Sequence, residues 1–168
     1  MGKHLLRDLD NLKKELLLSG SMVEEAVNQS IDALVNRRMK LAKEVIEGDL
    51  QINRRENQIE EECLKLLALH QPVASDLRFI ITVLKVNNDL ERIGDLAVNV
   101  AERALYLSNN EALKVVLNFP RMAEGARVMV QKSLDALIEM DAKLARTVLT
   151  MDDEIDDLNR EMFSKLQN

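Results

Sequence analysis

The chain has 168 residues with 23 basic and 29 acidic side chains, a formal charge of −6, and an apolar share of 46%. That share supports a buried core and excludes disorder, while the acidic balance and scarce aromatics (three Phe, one Tyr) argue against nucleic acid, which needs basic clusters or stacking platforms. Five Gly and two Pro leave too few turns for most all-β folds, so the composition predicts an all-α protein.

The start, Met1-Gly2-Lys3-His4-Leu5-Leu6, soon meets Arg7 and Asp8 and offers no apolar signal core. Gly2 does not open a myristoylation signal, because Leu6 stands where Ser or Thr is wanted. Apolar periodicity then predicts a first helix from His4 to Arg37, with Leu5, Leu9, Leu12, Leu16, Val23 and Ile31 on its face and a kink at Gly20. A second helix is predicted from Met39 to Leu69, closed by His70-Gln71-Pro72. Ser75 and Asp76 are candidate caps of a third helix reaching Tyr106. Its apolar seam is Phe79, Val83, Val86, Leu90, Ile93, Ala97, Val100 and Ala104, spaced by alternating fours and threes as in helix bundles. Leu107 to Asn110 reads as a linker and Pro120 as a break, after which helix resumes near Arg121 with one turn at Met140-Asp141. The run Phe79 to Leu84 is far short of a bilayer crossing. A lone cysteine, Cys63, forms no internal disulfide and suits a reducing compartment, which predicts a cytoplasmic protein.

Sliding the chain on itself by 103 positions reveals an internal repeat. Ser30, Asp32, Ala33, Leu34, Lys40, Leu41, Ala42, Val45, Asp49 and Ile52 fall on identical residues between Ser133 and Ile155. The expected architecture is therefore two tandem three-helix bundles, residues 1–107 and 108–168, the second lacking its last helix because a full second copy would run beyond Asn168. That incomplete bundle is expected to expose Val128, Leu134, Leu137 and Val148 unless a partner covers them, which predicts self-association as a homodimer or higher oligomer.

The third helix carries a polar stripe, Asn88, Glu91, Asp95, Asn99 and Glu102, beside its seam, and the second carries Asp49, Asn53, Glu56 and Glu60. Glu91 and Asp95, four residues apart, share a face and offer hard oxygen ligands to a cation. In the repeat, Asp152 and Asp156 match Asp49 and Asn53. Acidic stripes are also ordinary solvated faces, and Arg54, Arg55 and Arg92 are close enough in sequence to neutralise these ones. His4 near the terminus and His70 at a helix end, where a charged imidazole suits the dipole, read as non-ligands. Cys63 lies on an apolar seam, and the eight Met read as core or as an adaptable surface. There is no Gly-rich phosphate loop and no Glu-x-x-His pair, so catalysis is not expected.

Three motifs resemble the PhoU family of phosphate-transport accessory and regulatory proteins: Val45-Ile46-Glu47-Gly48-Asp49, His70-Gln71-Pro72-Val73-Ala74-Ser75-Asp76-Leu77-Arg78, and Asp89-Leu90-Glu91-Arg92-Ile93-Gly94-Asp95. The resemblance implies two tandem three-helix bundles and negative regulation of phosphate uptake and of the phosphate-starvation response. It implies contact with the phosphate transporter ATPase subunit and a phosphate-sensing histidine kinase, with the membrane reached only through those partners. It also implies divalent or iron-type metal ions on carboxylates of E(D)-x-x-x-D motifs. Glu91 and Asp95 match that motif fully, Asp152 and Asp156 in a D-x-x-x-D form, and Asp49 with Asn53 less well because Asn is uncharged. Two departures stand out: Leu96 replaces a His found in some versions, and a second copy of Glu91 to Asp95 would fall near positions 194–198. The alternative is a plain helical scaffold or oligomerisation module whose acidic stripes serve solubility.

Overall fold

The computed structural model describes residues 3–111 and 117–167, so the reading of Gly2 lies outside it. Five helices follow in order: α1 Lys3–Val35, α2 Met39–His70, α3 Ala74–Ser108, α4 Phe119–Ile138 and α5 Ala142–Gln167. The first three are 33, 32 and 35 residues long and pack against one another as an up-down-up bundle. Helix α4 docks on α1, and among the described helices α5 packs on α4 alone. No described helix is long and apolar enough to cross a membrane.

The bundle core runs through Leu9, Leu12, Leu16 and Val23 of α1, Ile52, Ile59, Cys63 and Leu66 of α2, and Phe79, Ile80, Val83 and Leu90 of α3. Towards the α1–α2 turn it narrows to Ala33, Ala42, Val45, Ala101 and Ala104, where small side chains let the helices approach closely. The seam of α3 is wider than its spacing predicts. Besides Phe79, Val83, Leu90, Ala97 and Ala104 it buries Ile80, Asn87, Gly94 and Ala101, because α3 lies between two helices and each claims its own flank.

Several local expectations are corrected. Helix α1 runs through Gly20 as one helix, and the missing side chain serves contact instead: a methyl there would overlap Leu134 of α4. Helix α3 begins after Val73, with no side-chain cap from Ser75 or Asp76; Asp76 lies in the first turn, where its charge suits the helix dipole. Helix α3 also continues through the first half of the predicted linker, to Ser108. Pro120 sits in the first turn of α4, where its absent N–H leaves no bond unmade. Leu134 and Val148 are buried, 4% and 8% exposed, not left open as the incomplete bundle predicted. Val128 and Leu137 are half-buried. Helix α1 covers one side of α4, and α4 and α5 cover each other.

The repeat is written into the backbone. Arg37 and Met140, 103 positions apart, both adopt φ 54°. Around Arg37 the amides of Asn36, Arg38 and Ala42 donate to the carbonyls of Asp32, Ala33 and Arg38 at 2.9, 3.0 and 3.0 Å. Around Met140 those of Glu139, Asp141 and Ala145 donate to Asp135, Ala136 and Asp141 at 2.9, 2.8 and 3.0 Å. Helices α4 and α5 are thus a second copy of the helical hairpin made by the later part of α1 with α2.

Candidate functional site

The middle parts of the two polar stripes of the first bundle meet at the groove between α2 and α3. These helices run antiparallel: as α3 advances from Asn87 to Gly94, α2 retreats from Glu56 to Ile52. The Asn87 amide donates to the Glu56 backbone carbonyl at 2.9 Å. Seven residues on, Gly94 faces Ile52 so closely that a methyl would sit 3.2 Å from its Cγ2 and 3.8 Å from Asp49 Oδ1. This close approach brings Asp49, Asn53 and Glu56 of α2 beside Glu91 and Asp95 of α3.

The electrostatics record that proximity. Burial and the nearby Asp95 charge push the Asp49 carboxyl above its ordinary value, against a hydrogen bond from Asn53. That bond, Asn53 Nδ2 to Asp49 Oδ2, is 2.9 Å long. Glu91 is raised by burial and then by Asp95, Glu56 and Asp49, with Arg92 opposing. Glu56 is raised by burial and by Glu60. Of the arginines that sequence proximity offered as neutralising partners, Arg55 pairs with Glu15 of α1, and Arg92 lies 3.9 Å from Asp89 while its charge still acts on Glu91. Among the described residues none of Asp49, Glu56, Glu91 and Asp95 makes an ion pair.

The donor chemistry suits a hard cation. Asp49 Oδ1 and Asn53 Oδ1 are buried with no hydrogen-bond partner, and a bound cation would satisfy both. The carboxylates of the groove are spaced openly: among the described residues no group of three or more His, Cys, Asp or Glu is placed to hold a metal ion. Asp152 and Asp156 do not join this groove; both lie on the exposed face of α5, which packs on α4 alone.

Other polar residues take structural places. His70 Nε2 lies 3.1 Å from Asp8 Oδ2, tying the end of α2 to the start of α1. With Arg7, that contact holds the Asp8 carboxyl below its ordinary value. Cys63 is buried, and burial with the nearby Glu62 and Glu60 pushes its thiol up to about 12, so it is inert at neutral pH. Arg37 donates to the carbonyls of Leu107 and Ser108 at 3.0 and 2.8 Å and also to Asn110, closing the C-terminus of α3.

Asn87, 1% exposed, escaped the sequence reading, which placed its neighbour Asn88 on the stripe. A polar residue one step off an apolar seam was the available signal.

The fold and groove define a long-helix bundle built on a repeated helical hairpin, with an unneutralised acidic groove on its complete three-helix unit. A family model described as the PhoU domain matches residues 16–104 and 119–168. A phosphate-specific transport system accessory protein PhoU homolog of Aquifex aeolicus is 38% identical over 162 residues, covering 96% of this chain and 73% of that protein. The homolog of Pseudomonas aeruginosa is 41% identical over 150 residues, covering 89% of the chain and 62% of the relative. The crystal structure of PhoU from P. aeruginosa superposes with a TM-score of 0.87 at 39% identity, over 95% of this chain and 77% of that one. The phosphate transport system regulatory protein PhoU from Streptococcus pneumoniae gives 0.84 at 30% identity, over 94% and 74%. The chain belongs to the PhoU family.

Proposed function

We propose that the chain is a negative regulator of phosphate uptake and of the phosphate-starvation response. It acts in the cytoplasm by contact with the ATPase subunit of the phosphate transporter and with a phosphate-sensing histidine kinase, and it works as a homodimer or higher oligomer. Likeness to phosphate-transport accessory proteins across nearly the whole chain supports this reading. Such a regulator needs different affinities for two states of its partner, not a reaction of its own.

The observation that carries the site is the cluster of carboxylates left without cationic partners between α2 and α3. Asp49, Asn53, Glu91 and Asp95 would hold a divalent or iron-type cation there, whose charge offsets their mutual repulsion. Asp152 and Asp156 form a second, half-complete pair. Binding of Mn2+ by the whole chain, followed by calorimetry, should vanish in a Glu91→Ala, Asp95→Ala double variant and persist in Asp152→Asn.

The regulatory reading is tested by alkaline phosphatase activity in phosphate-replete cells deleted for this protein. High activity lowered again by restoring the chain supports it. Unchanged low activity on deletion overturns it and leaves the scaffold reading, which the open spacing of the acidic groove favours. That second reading predicts that the double variant is indistinguishable from the parent in metal content and in cells.

A further inference from the structure

We infer that Glu24 and Arg127 reserve one face of α1 for α4 of the same chain: the face is self-complementary in shape, so that α1 of a second copy fits it, and charge at its centre turns that copy away. The inference does not depend on the cation or phosphate readings, nor on whether copies also meet through another face.

The observation behind it is a local twofold symmetry. Glu24 Oε2 lies 3.5 Å from Arg127 Nη1, and the two residues are 103 positions apart, the offset of the repeat. Equivalent residues of the two repeats therefore meet at one point, as they do on a twofold axis. Away from that point the contacts come in mated pairs. Gly20 faces Leu134 so closely that a methyl there would overlap it. Their mates, Ala123 and Ile31, wall one cleft together, on the other side of the central pair. A second cleft is walled by Leu17, Ser21 and Gln131, the mates of Pro120, Glu124 and Asn28 in the first.

A small residue thus receives a large one on both sides of the centre, and α1 carries both halves of that arrangement. Two copies of α1 in the same geometry would set Gly20 of each against Ile31 of the other, with α2 in the place its repeat mate α5 now holds. What this pairing does not satisfy is the centre, where Glu24 would meet a second Glu24. Pairing α4 with α4 would likewise bring Arg127 to Arg127. Both side chains are largely shielded from water, 20% and 26% exposed, so the charges act with little solvent between them. Like charges so placed suppress a wrong partner, and unlike charges admit the right one. Arg127 also bonds Glu124 at 2.6 Å, but within α4 itself, a contact open to it whichever helix lies opposite.

The test uses the whole chain with a donor or acceptor dye at Lys14→Cys, an exposed position on α1. The buried Cys63, its thiol pushed up to about 12, stays unlabelled. Every chain carries Glu124→Gln, so that position 127 answers to position 24 alone. Glu24→Arg then has two cations at the centre, and Arg127→Glu has two anions. Mixed with each other, these chains place unlike charges on the axis between copies. Half-maximal energy transfer should come at a concentration about 10-fold or more below that of either chain mixed with itself. Association through any other face contributes alike to all three mixtures. The combined Glu24→Arg, Arg127→Glu chain should return to the parent's energy transfer and amide protection in α4. Should a single variant lose its helical signal, Glu24→Lys and Arg127→Asp replace the pair in the same comparison. Equal transfer in mixed and unmixed samples overturns the inference and leaves apolar contact as the selector. A combined chain that stays unprotected in α4 overturns it too, because charge would then not restore the pairing.

Discussion

Two turns of this molecule share a backbone and divide in their side chains. The turn between α1 and α2 and the turn between α4 and α5 carry the same φ 54° residue and the same ladder of three amide–carbonyl bonds. In the first, Arg37 reaches across to the end of α3, and Arg38 bonds Asp32 at 2.5 Å. In the second, Met140 is 64% exposed, and Asp141 caps its own helix, its Oδ1 accepting from the amides of Lys143 and Leu144 at 2.8 and 3.0 Å. The hairpin needs only its backbone ladder, so its side chains are free to serve whatever packs nearby. In the first copy that is a third helix, and in the second it is the helix end itself.

The largest test of this contrast lies in the cores. Leu16→Ala, emptying a site that is 0% exposed and walled by three helices, should cost about 2–5 kcal/mol. Leu158→Ala in α5 should fall at or below the bottom of that range, because α5 packs on α4 alone and collapses into the space. Equal losses in denaturant unfolding would break the distinction between a walled core and a two-helix seam.

Next come the turn residues. Asp141→Ala should cost about 1 kcal/mol through loss of the α5 cap. Arg38→Ala, at the matching position, removes only an exposed ion pair and should cost a few tenths of a kcal/mol. Met140→Gly should stabilise by about 0.5–1 kcal/mol, because glycine accepts the left-handed backbone without strain. Arg37→Gly gains the same relief but loses two bonds to the end of α3 and one to Asn110 beyond it, so it should show faster amide exchange near Leu107 and no net gain. A stabilised Arg37→Gly would show that those bonds contribute nothing.

The smallest effect concerns pH. Asp49, Glu56 and Glu91 titrate above their ordinary values in the folded chain, so between those values and the folded ones the native state holds more protons than the unfolded state. The contribution of these three carboxyls to stability therefore falls as pH rises from about 4 through their folded values, and it stays lower above them. Asp95→Asn removes the charge that acts on both Asp49 and Glu91. It should flatten that fall and raise stability at neutral pH by a few tenths of a kcal/mol, the scale of solvent-screened pairs. Asp152→Asn on the exposed α5 face should leave the pH profile unchanged, and a matching response there would show that the two stripes share one environment.

Much of this was legible before any coordinates. The spacings along α3 announced its buried face, and the match of Ser30 to Ile52 with Ser133 to Ile155 announced two hairpins that turn alike. The stripe of Asp49, Asn53 and Glu56 was visible beside that of Glu91 and Asp95, but the groove that joins them was not. Asn87 was read past because its neighbour Asn88 fitted the polar stripe, and the second flank of α3 becomes a core face only once α1 and α2 both pack on it.

By itself the sequence determined the helices, their apolar faces and the repeat, since each is a matter of spacing within one stretch of chain. The tertiary structure alone decided which carboxylates meet, that Arg55 goes to Glu15 instead of to them, that Arg37 closes α3, and that Gly20 and Gly94 are points of close approach. Those outcomes depend on how far one helix is advanced along another. Periodicity cannot encode that displacement, because a helix shifted by one turn presents nearly the same face.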